Sequence, residues 1–373
     1  MDWITRTARQ IAKERLVPVA MEIDRNHTYP REQIRLLGDA GFCQVGIAEE
    51  KGGIGLGREC FAAVVREIAG ACASTALVYV SHSAVVKAVA TGGDGRVQKQ
   101  WLPEMLKGAA IGAFAVNEPG SGSNAAAVAT RAARDGDSYV VNGSKSFITS
   151  AGEADLYLVL VRTDPEKGPQ GMSALIIEKD TPGLSFGKPE DKMGLSGTSS
   201  GEVFFTDCRI PADHLVGKEG EGLPVIAGAL MGWGFFGAAG ISAGIARSAC
   251  AIAVKHARER TIAGQPLAAH QAVGAMIADM AVKTDAVDAL LDSCARNADL
   301  ESRNAFLFAC KTKLFASETA VDVANTAIQV MGGHGYCRDY NVERLFRDAR
   351  GLTIHFKTSQ WLRQDIAQIL TGV

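Results

Sequence analysis

This chain has no excess of either charge, no paired-cysteine motif and no uninterrupted membrane run, and each absence narrows what it can be. Its 373 residues carry 39 basic against 41 acidic side chains, a formal net charge of -2. No basic stretch compares with the phosphate-tracking surfaces of nucleic-acid binders, so nucleic acid is not an expected partner. The 8 cysteines form no C-x-x-C cluster, which points to buried thiols in a reducing compartment. No His, Cys and Asp spacing resembles a metal site. The start, Met1-Asp2-Trp3-Ile4, lacks the basic-then-apolar order of a secretory leader, and a cytoplasmic location is the expectation. The apolar region from Gly220 to Ala257 is interrupted by Trp233, Arg247 and many glycines, which reads as a packed internal helix and not a membrane span.

What is present is a globular composition, 47% hydrophobic and 21% charged, in a chain long enough to bury sizeable cores. The pattern changes twice along it. Residues 1–109 read mainly as helix: Ile11, Arg15, Leu16 and Val19, then Ile34 and Leu37, recur at three and four residues, and Pro30 stands where a helix can begin. Gly52 to Gly57 forms a flexible interruption before the apolar helical runs Cys60 to Ala69 and Ala73 to Ala90. Residues 110–215 switch to short strands, Ser138 to Val141, Leu156 to Val161, Ser173 to Ile177 and Glu202 to Phe205, with turns expected at Asn142-Gly143 and Thr181-Pro182-Gly183. Residues 216–373 return to helix over Ala238 to Arg258, His270 to Ala295 and Phe306 to Met331. Glycines dense from Gly228 to Gly244 let neighbouring helices approach closely.

Four separated segments carry chemical information. The first is Phe114 to Asn124, with Val116, Asn117, Gly122 and Ser123; its glycines suit a turn whose N–H groups point at an anion. Next comes Val141 to Ser150, with Phe147 and Thr149. The third runs from Arg260 to Gln329, Gly332 and Gly333, and the last is Thr358-Ser359-Gln360. In this order they resemble the flavin-binding signature of the acyl-CoA dehydrogenase family.

The resemblance spans nearly the whole chain and implies an α+β fold: an N-terminal helical domain, a central β-domain and a C-terminal four-helix bundle. It implies FAD, clasped between subunits of a homo-oligomer. Phe114, Val116, Asn117, Gly122 and Ser123 would run beside the ring, Phe147 would stack near it, and Thr149 would bond its reactive edge. Arg260, Gln329, Gly332 and Gly333 would reach the dinucleotide of the neighbouring subunit, and Thr358 and Gln360 complete the set. This sequence departs from the family at Asn117 (commonly threonine), Phe147 (commonly tryptophan), Ala263 (commonly aromatic) and Ser196 (commonly arginine).

One departure bears on the reaction. Family members oxidise acyl thioesters by taking the α proton with a carboxylate while the β carbon gives hydride to the flavin. With Arg347-Asp348-Ala349 and Thr358-Ser359-Gln360 aligned to the family motif, Phe356 stands at the glutamate position and Lys357 at the usual glycine. Other members place the glutamate on the helix after the strand domain, where this chain has Leu230 to Phe235. Neither stretch holds an acid.

Glu219 and Glu221 are expected to face solvent. His355 is the nearest substitute in sequence, ahead of His334 and His82, while Asp348 reads as structural. Glu318 and Glu343 are expected to pair with residues such as Lys311 or Arg347, and Cys310 to pack. The expected activity is FAD-dependent oxidation of a small acyl or hydroxyacyl thioester on CoA or an acyl carrier protein, as in relatives that make polyketide extender units. Phe356 and Trp233 are expected to shorten the cavity. The alternatives are a desulfinase or monooxygenase of this fold, or a non-catalytic protein; an electron-transferring flavoprotein is the partner the family implies.

Overall fold

The computed structural model describes residues 2–122, 124–296 and 303–372. The first helical layer comprises α1 (Asp2–Ile11), a π-helical turn (Ala12–Leu16), α2 (Val17–Asn26), α3 (Arg31–Asp39), α4 (Arg58–Ala71), α5 (Ala73–Gly92) and α6 (Gly95–Leu106). Pro30 is the residue before α3, and Asp94 caps α6 by accepting from the N–H groups of Arg96 and Val97. Almost all of α5 is buried, so its apolar and small residues run round the whole helix without a polar face. His82 on α5 bonds Met105 C=O through Nε2 and accepts the Gly112 N–H at Nδ1, tying three elements together. Burial pulls its pKa down to about 4. It is a neutral structural pin.

The strands follow as β1 (Gly112–Ala115), β2 (Arg131–Asp135), β3 (Ser138–Ile148), β4 (Leu156–Arg162), β5 (Met172–Glu178), β6 (Leu184–Phe186), β7 (Gly201–Pro211) and β8 (Leu215–Val216). They form one sheet in the order β6-β7-β3-β2-β4-β5-β8, with β1 parallel to β4. Leu156 to Val161 are all buried, which explains a continuous apolar run where a half-exposed strand would alternate. Thr181-Pro182-Gly183 does turn, closed by Leu184 N–H to Thr181 C=O. Asn142-Gly143 does not. It lies inside β3 at an irregularity in the pairing with β7, and the Asn142 amide exchanges two bonds with Asp207. The local hairpin signal is overridden there by pairing along the full length of β7.

The second helical layer holds α7 (Gly222–Ala229), a π-helical turn (Leu230–Gly234) and α8 (Phe235–Glu259). After a small hairpin, β9 (Thr261–Ile262) and β10 (Gln265–Pro266), come α9 (Gln271–Arg296), α10 (Arg303–Met331), α11 (Gly333–Tyr336), α12 (Val342–Leu352) and α13 (Ser359–Thr371). α8 is the spine, packed against α4, α9 and α10. At Gly244 an added Cβ would stand 2.4 Å from Arg66 C=O on α4, so no larger residue allows that contact. Two helical stretches, Ala73–Gly92 and Gly222–Glu259, are long and apolar enough to cross a membrane. Of their most apolar windows 94% and 72% is buried inside this fold.

Candidate flavin site

The sequence-predicted residues gather on three edges of the fold. On the sheet, β1 carries half-buried Phe114 and leads into buried Val116 and exposed Asn117. The chain then turns through Gly120 and Gly122, the latter at φ 52°, with open space where either would carry a Cβ. Packing therefore does not force these glycines; their value is the backbone they permit and the room they leave. Ser123 lies outside the described residues. Beside this turn runs the end of β3, where Ser146 N–H bonds Asn117 C=O at 2.9 Å.

Phe147 sits at a register shift between β3 and β7 and has φ 53°. A bulky side chain in the left-handed region is strained, and the shift swings this one outward until it is 69% exposed. An exposed ring held at such cost is free to contact a planar partner. Thr149 follows, half-buried. Bonds absent from the sequence reading fix this region: Lys145, fully buried, donates to Glu118, and Glu118 holds Ala129 and Thr130. Lys145 falls on the inward register of β3, so a charged residue at a core position was the available signal.

The second edge is the end of α8. Arg260 terminates that helix, and residues 258–266 are all exposed. The tip of the hairpin turns through Ala263 at φ 50° and Gly264 at φ 80°. The ring of His256, on the preceding turn, lies tilted 5.7 Å from that of His334, which brings the arginine's helix end beside the Gly332-Gly333 turn. Gln329, Gly332 and Gly333 are exposed, and Gly332 adopts φ 58°. Arg247 is not part of this group, because Asp288 holds it at 2.5 Å.

The third edge is the loop from α12 to α13. Thr358 caps α13 through its hydroxyl, and Gln360 is exposed one residue inside the helix. Phe356 has φ 62° and its ring stands 3.0 Å from where Gly234 would carry a Cβ. Around it, Phe235, Ala309, Cys310 and Leu362 are buried together. Cys310 packs, as the sequence suggested, and burial raises its thiol pKa to about 12. The Trp233 ring centroid lies 4.3 Å from that of Phe61, and the ring packs against Gly46, in the first helical layer. Gly234, the next residue on that turn, lies against the Phe356 ring.

The other candidate acids and bases are engaged. His355 bonds Gly351 C=O through Nδ1, and burial lowers its pKa. Asp348 is buried and accepts Leu195 N–H at 2.6 Å; burial raises its carboxyl to about 6. Glu219 is exposed and accepts the Tyr139 hydroxyl, while Glu221 accepts Lys218 N–H. Glu343 pairs with Arg347 as expected, but Glu318 pairs with Arg363 in place of Lys311, since α13 packs against that part of α10.

Comparison with known proteins decides the family. The models for the acyl-CoA dehydrogenase N-terminal, middle and C-terminal domains match residues 2–109, 113–208 and 220–371. The chain belongs to the acyl-CoA dehydrogenase family. This family member is a flavin-dependent oxidoreductase, and its cofactor is FAD. It is 40% identical to acryloyl-CoA reductase (NADH) of Anaerotignum propionicum over 96% of this chain and 91% of that one. Its structure is similar to butyryl-CoA dehydrogenase of Megasphaera elsdenii, with TM-score 0.94, 31% identity and 99% and 97% of the two chains covered. It is also similar to a prolyl acyl carrier protein oxidase, with TM-score 0.93, 26% identity and 98% and 97% coverage. The open glycine turns, the exposed ring and the exposed arginine suit a dinucleotide with a flat head group and a charged middle.

Proposed function

We propose that this enzyme oxidises a small acyl or hydroxyacyl thioester, carried on CoA or an acyl carrier protein, without the family's carboxylate base. FAD when bound supplies the hydride acceptor, N5 of its ring. Phe114, Val116, Asn117, Gly122, Ser123, Phe147 and Thr149 hold the ring end. Arg260, Gln329, Gly332 and Gly333 of a second copy hold the adenosine and phosphates, and Thr358 and Gln360 close the site. Each flavin is thus shared in a homo-oligomer. The reduced enzyme passes its electrons to a protein acceptor.

The observation that carries the missing-base reading is the contact between Phe356 and Gly234. Phe356, at one position where the resemblance puts the glutamate, packs its ring against Gly234, which lies within the stretch Leu230 to Phe235 that corresponds to the other, and neither residue is an acid. The ring packs among Phe235, Ala309, Cys310 and Leu362, an apolar cluster with no carboxylate in it. A substrate that needs no such base has its labile proton elsewhere, for example on a hydroxyl. The names of the relatives support both carriers: two concern CoA thioesters and one a carrier-protein substrate.

Anaerobic mixing of the FAD-loaded enzyme with matched CoA and carrier-protein thioesters tests this directly. Loss of the visible flavin band with a hydroxyacyl thioester, and not with butyryl-CoA, is expected. Rapid reduction by butyryl-CoA would defeat the missing-base reading. Release of sulfite from a sulfinate substrate with no net loss of the flavin band, or oxygen insertion on re-aeration, would move the assignment to a desulfinase or a monooxygenase.

A further inference from the structure

A buried ion pair lies directly beneath the two sheet segments assigned to the flavin. Lys145 is 0% exposed and its ammonium has three acceptors: Leu160 C=O at 2.6 Å, Glu118 Oε1 at 2.8 Å and Val116 C=O at 3.3 Å. Glu118 is 7% exposed. Its carboxylate also accepts from Ala129 N–H at 2.7 Å, Thr130 N–H at 2.9 Å and the Thr130 hydroxyl at 2.5 Å. Its own N–H is taken by Ser121 Oγ within the glycine turn. Every donor of the lysine is used.

The positions of these bonds are informative. Lys145 grips residues 116 and 118 on either side of Asn117, and stands two and four residues before Phe147 and Thr149 on its own strand. One ammonium group therefore sets the spacing between segments that are about thirty residues apart in sequence. A buried ion pair is a poor source of stability, because desolvation cancels most of the attraction and an apolar pair of the same size packs as well. Burial pulls the Lys145 pKa down to about 8, against the pull of Glu118. For the Glu118 carboxyl, burial pushes upward but Lys145 and the Thr130 and Ala129 donors outweigh it, leaving the pKa below its ordinary value.

We propose that Glu118 and Lys145 are positioning residues for the flavin: neither touches it, and together they hold the 116–122 turn and the 147–149 strand end at the separation its ring requires. The proposal rests on the flavin reading above. Full-length Glu118→Gln, Lys145→Met and the double variant are to be compared with wild type by FAD dissociation constant, thermal midpoint, position of the visible flavin band and reduction potential. Each single change leaves a buried charge or donor alone and lowers the midpoint. The double variant recovers most of the midpoint, yet binds FAD about tenfold more weakly, with a displaced band and potential.

A double variant with wild-type affinity, band and potential would overturn the proposal and leave the pair a structural feature only. Thr130→Val removes one bond to Glu118 and keeps the charges, so it serves where the others fail to fold. A roughly threefold weaker affinity with a displaced band supports the proposal, and no change overturns it. If wild-type protein takes up no FAD at all, the flavin reading falls first and this proposal with it.

Discussion

At the scale of single residues, Phe356 and Phe147 share a backbone region that bulky side chains avoid, but they face different surroundings. The Phe356 ring is half-buried against Gly234 and Phe235. Placing a carboxylate there supplies a proton acceptor in an apolar setting, which raises its pKa toward that of a useful base. Phe356→Glu should speed flavin reduction by butyryl-CoA about a hundredfold or more, at some loss of thermal stability, as followed by anaerobic stopped flow. Gly234→Glu would need Phe356→Gly beside it to make room. Phe147, by contrast, is exposed on the face assigned to the flavin. Phe147→Gly removes the strain of φ 53°, worth about 1 kcal/mol, so the apoprotein should be no less stable. Its FAD affinity should nonetheless fall about tenfold in a fluorescence titration.

At the scale of elements, Thr358 does two jobs. Its hydroxyl accepts from Trp361 N–H and starts α13, and α13 covers the apolar cluster around Phe235 through Leu362. Thr358→Ala should cost about 1 kcal/mol in denaturant unfolding, with Thr358→Ser restoring it. A loss of FAD affinity beyond what the serine variant recovers would point to the methyl group as well. The π-helical turn Leu230–Gly234 belongs to the same group of parts. Extra residues in a helix are characteristic of functional sites, and this one turns Trp233 to the first helical layer and Gly234 to Phe356.

For the whole molecule, charge burial and assembly set the expected behaviour. Asp348 has its pKa raised from 3.8 to about 6 by burial. The fold therefore keeps the proton in a range where the unfolded chain has lost it. The stability this group contributes is present below about pH 4, declines as pH rises through 6 and is gone above it. Against Asp348→Asn, which lacks the titration, wild type should lose on the order of 3 kcal/mol between pH 4 and 7 in denaturant unfolding. An unchanging difference would place the Asp348 pKa at its ordinary value. Arg260 sits on an exposed hairpin arm, so Arg260→Ala should leave folding within about 0.5 kcal/mol. Light scattering with and without FAD should show weaker FAD-dependent assembly for that variant.

Much of the fold and part of the site were legible in the sequence because they depend on local pattern. The changes from helical period to short β-branched runs and back marked the order of the layers, and four motifs in order pointed to the family. Asn142-Gly143 misled because its turn preference is smaller than the pairing of β3 with β7. The contact of Trp233 with Phe61 was not legible because a π-helical turn cannot be counted from spacing. The Glu118 and Lys145 pair went unread because its members are twenty-seven residues apart and meaningful only when buried together. By itself the sequence determined the order of the helical and strand layers and the motifs that match the family. Only the tertiary structure decided that the Phe356 ring meets Gly234, because adjacency across loop and helix arises from packing and has no period along the chain.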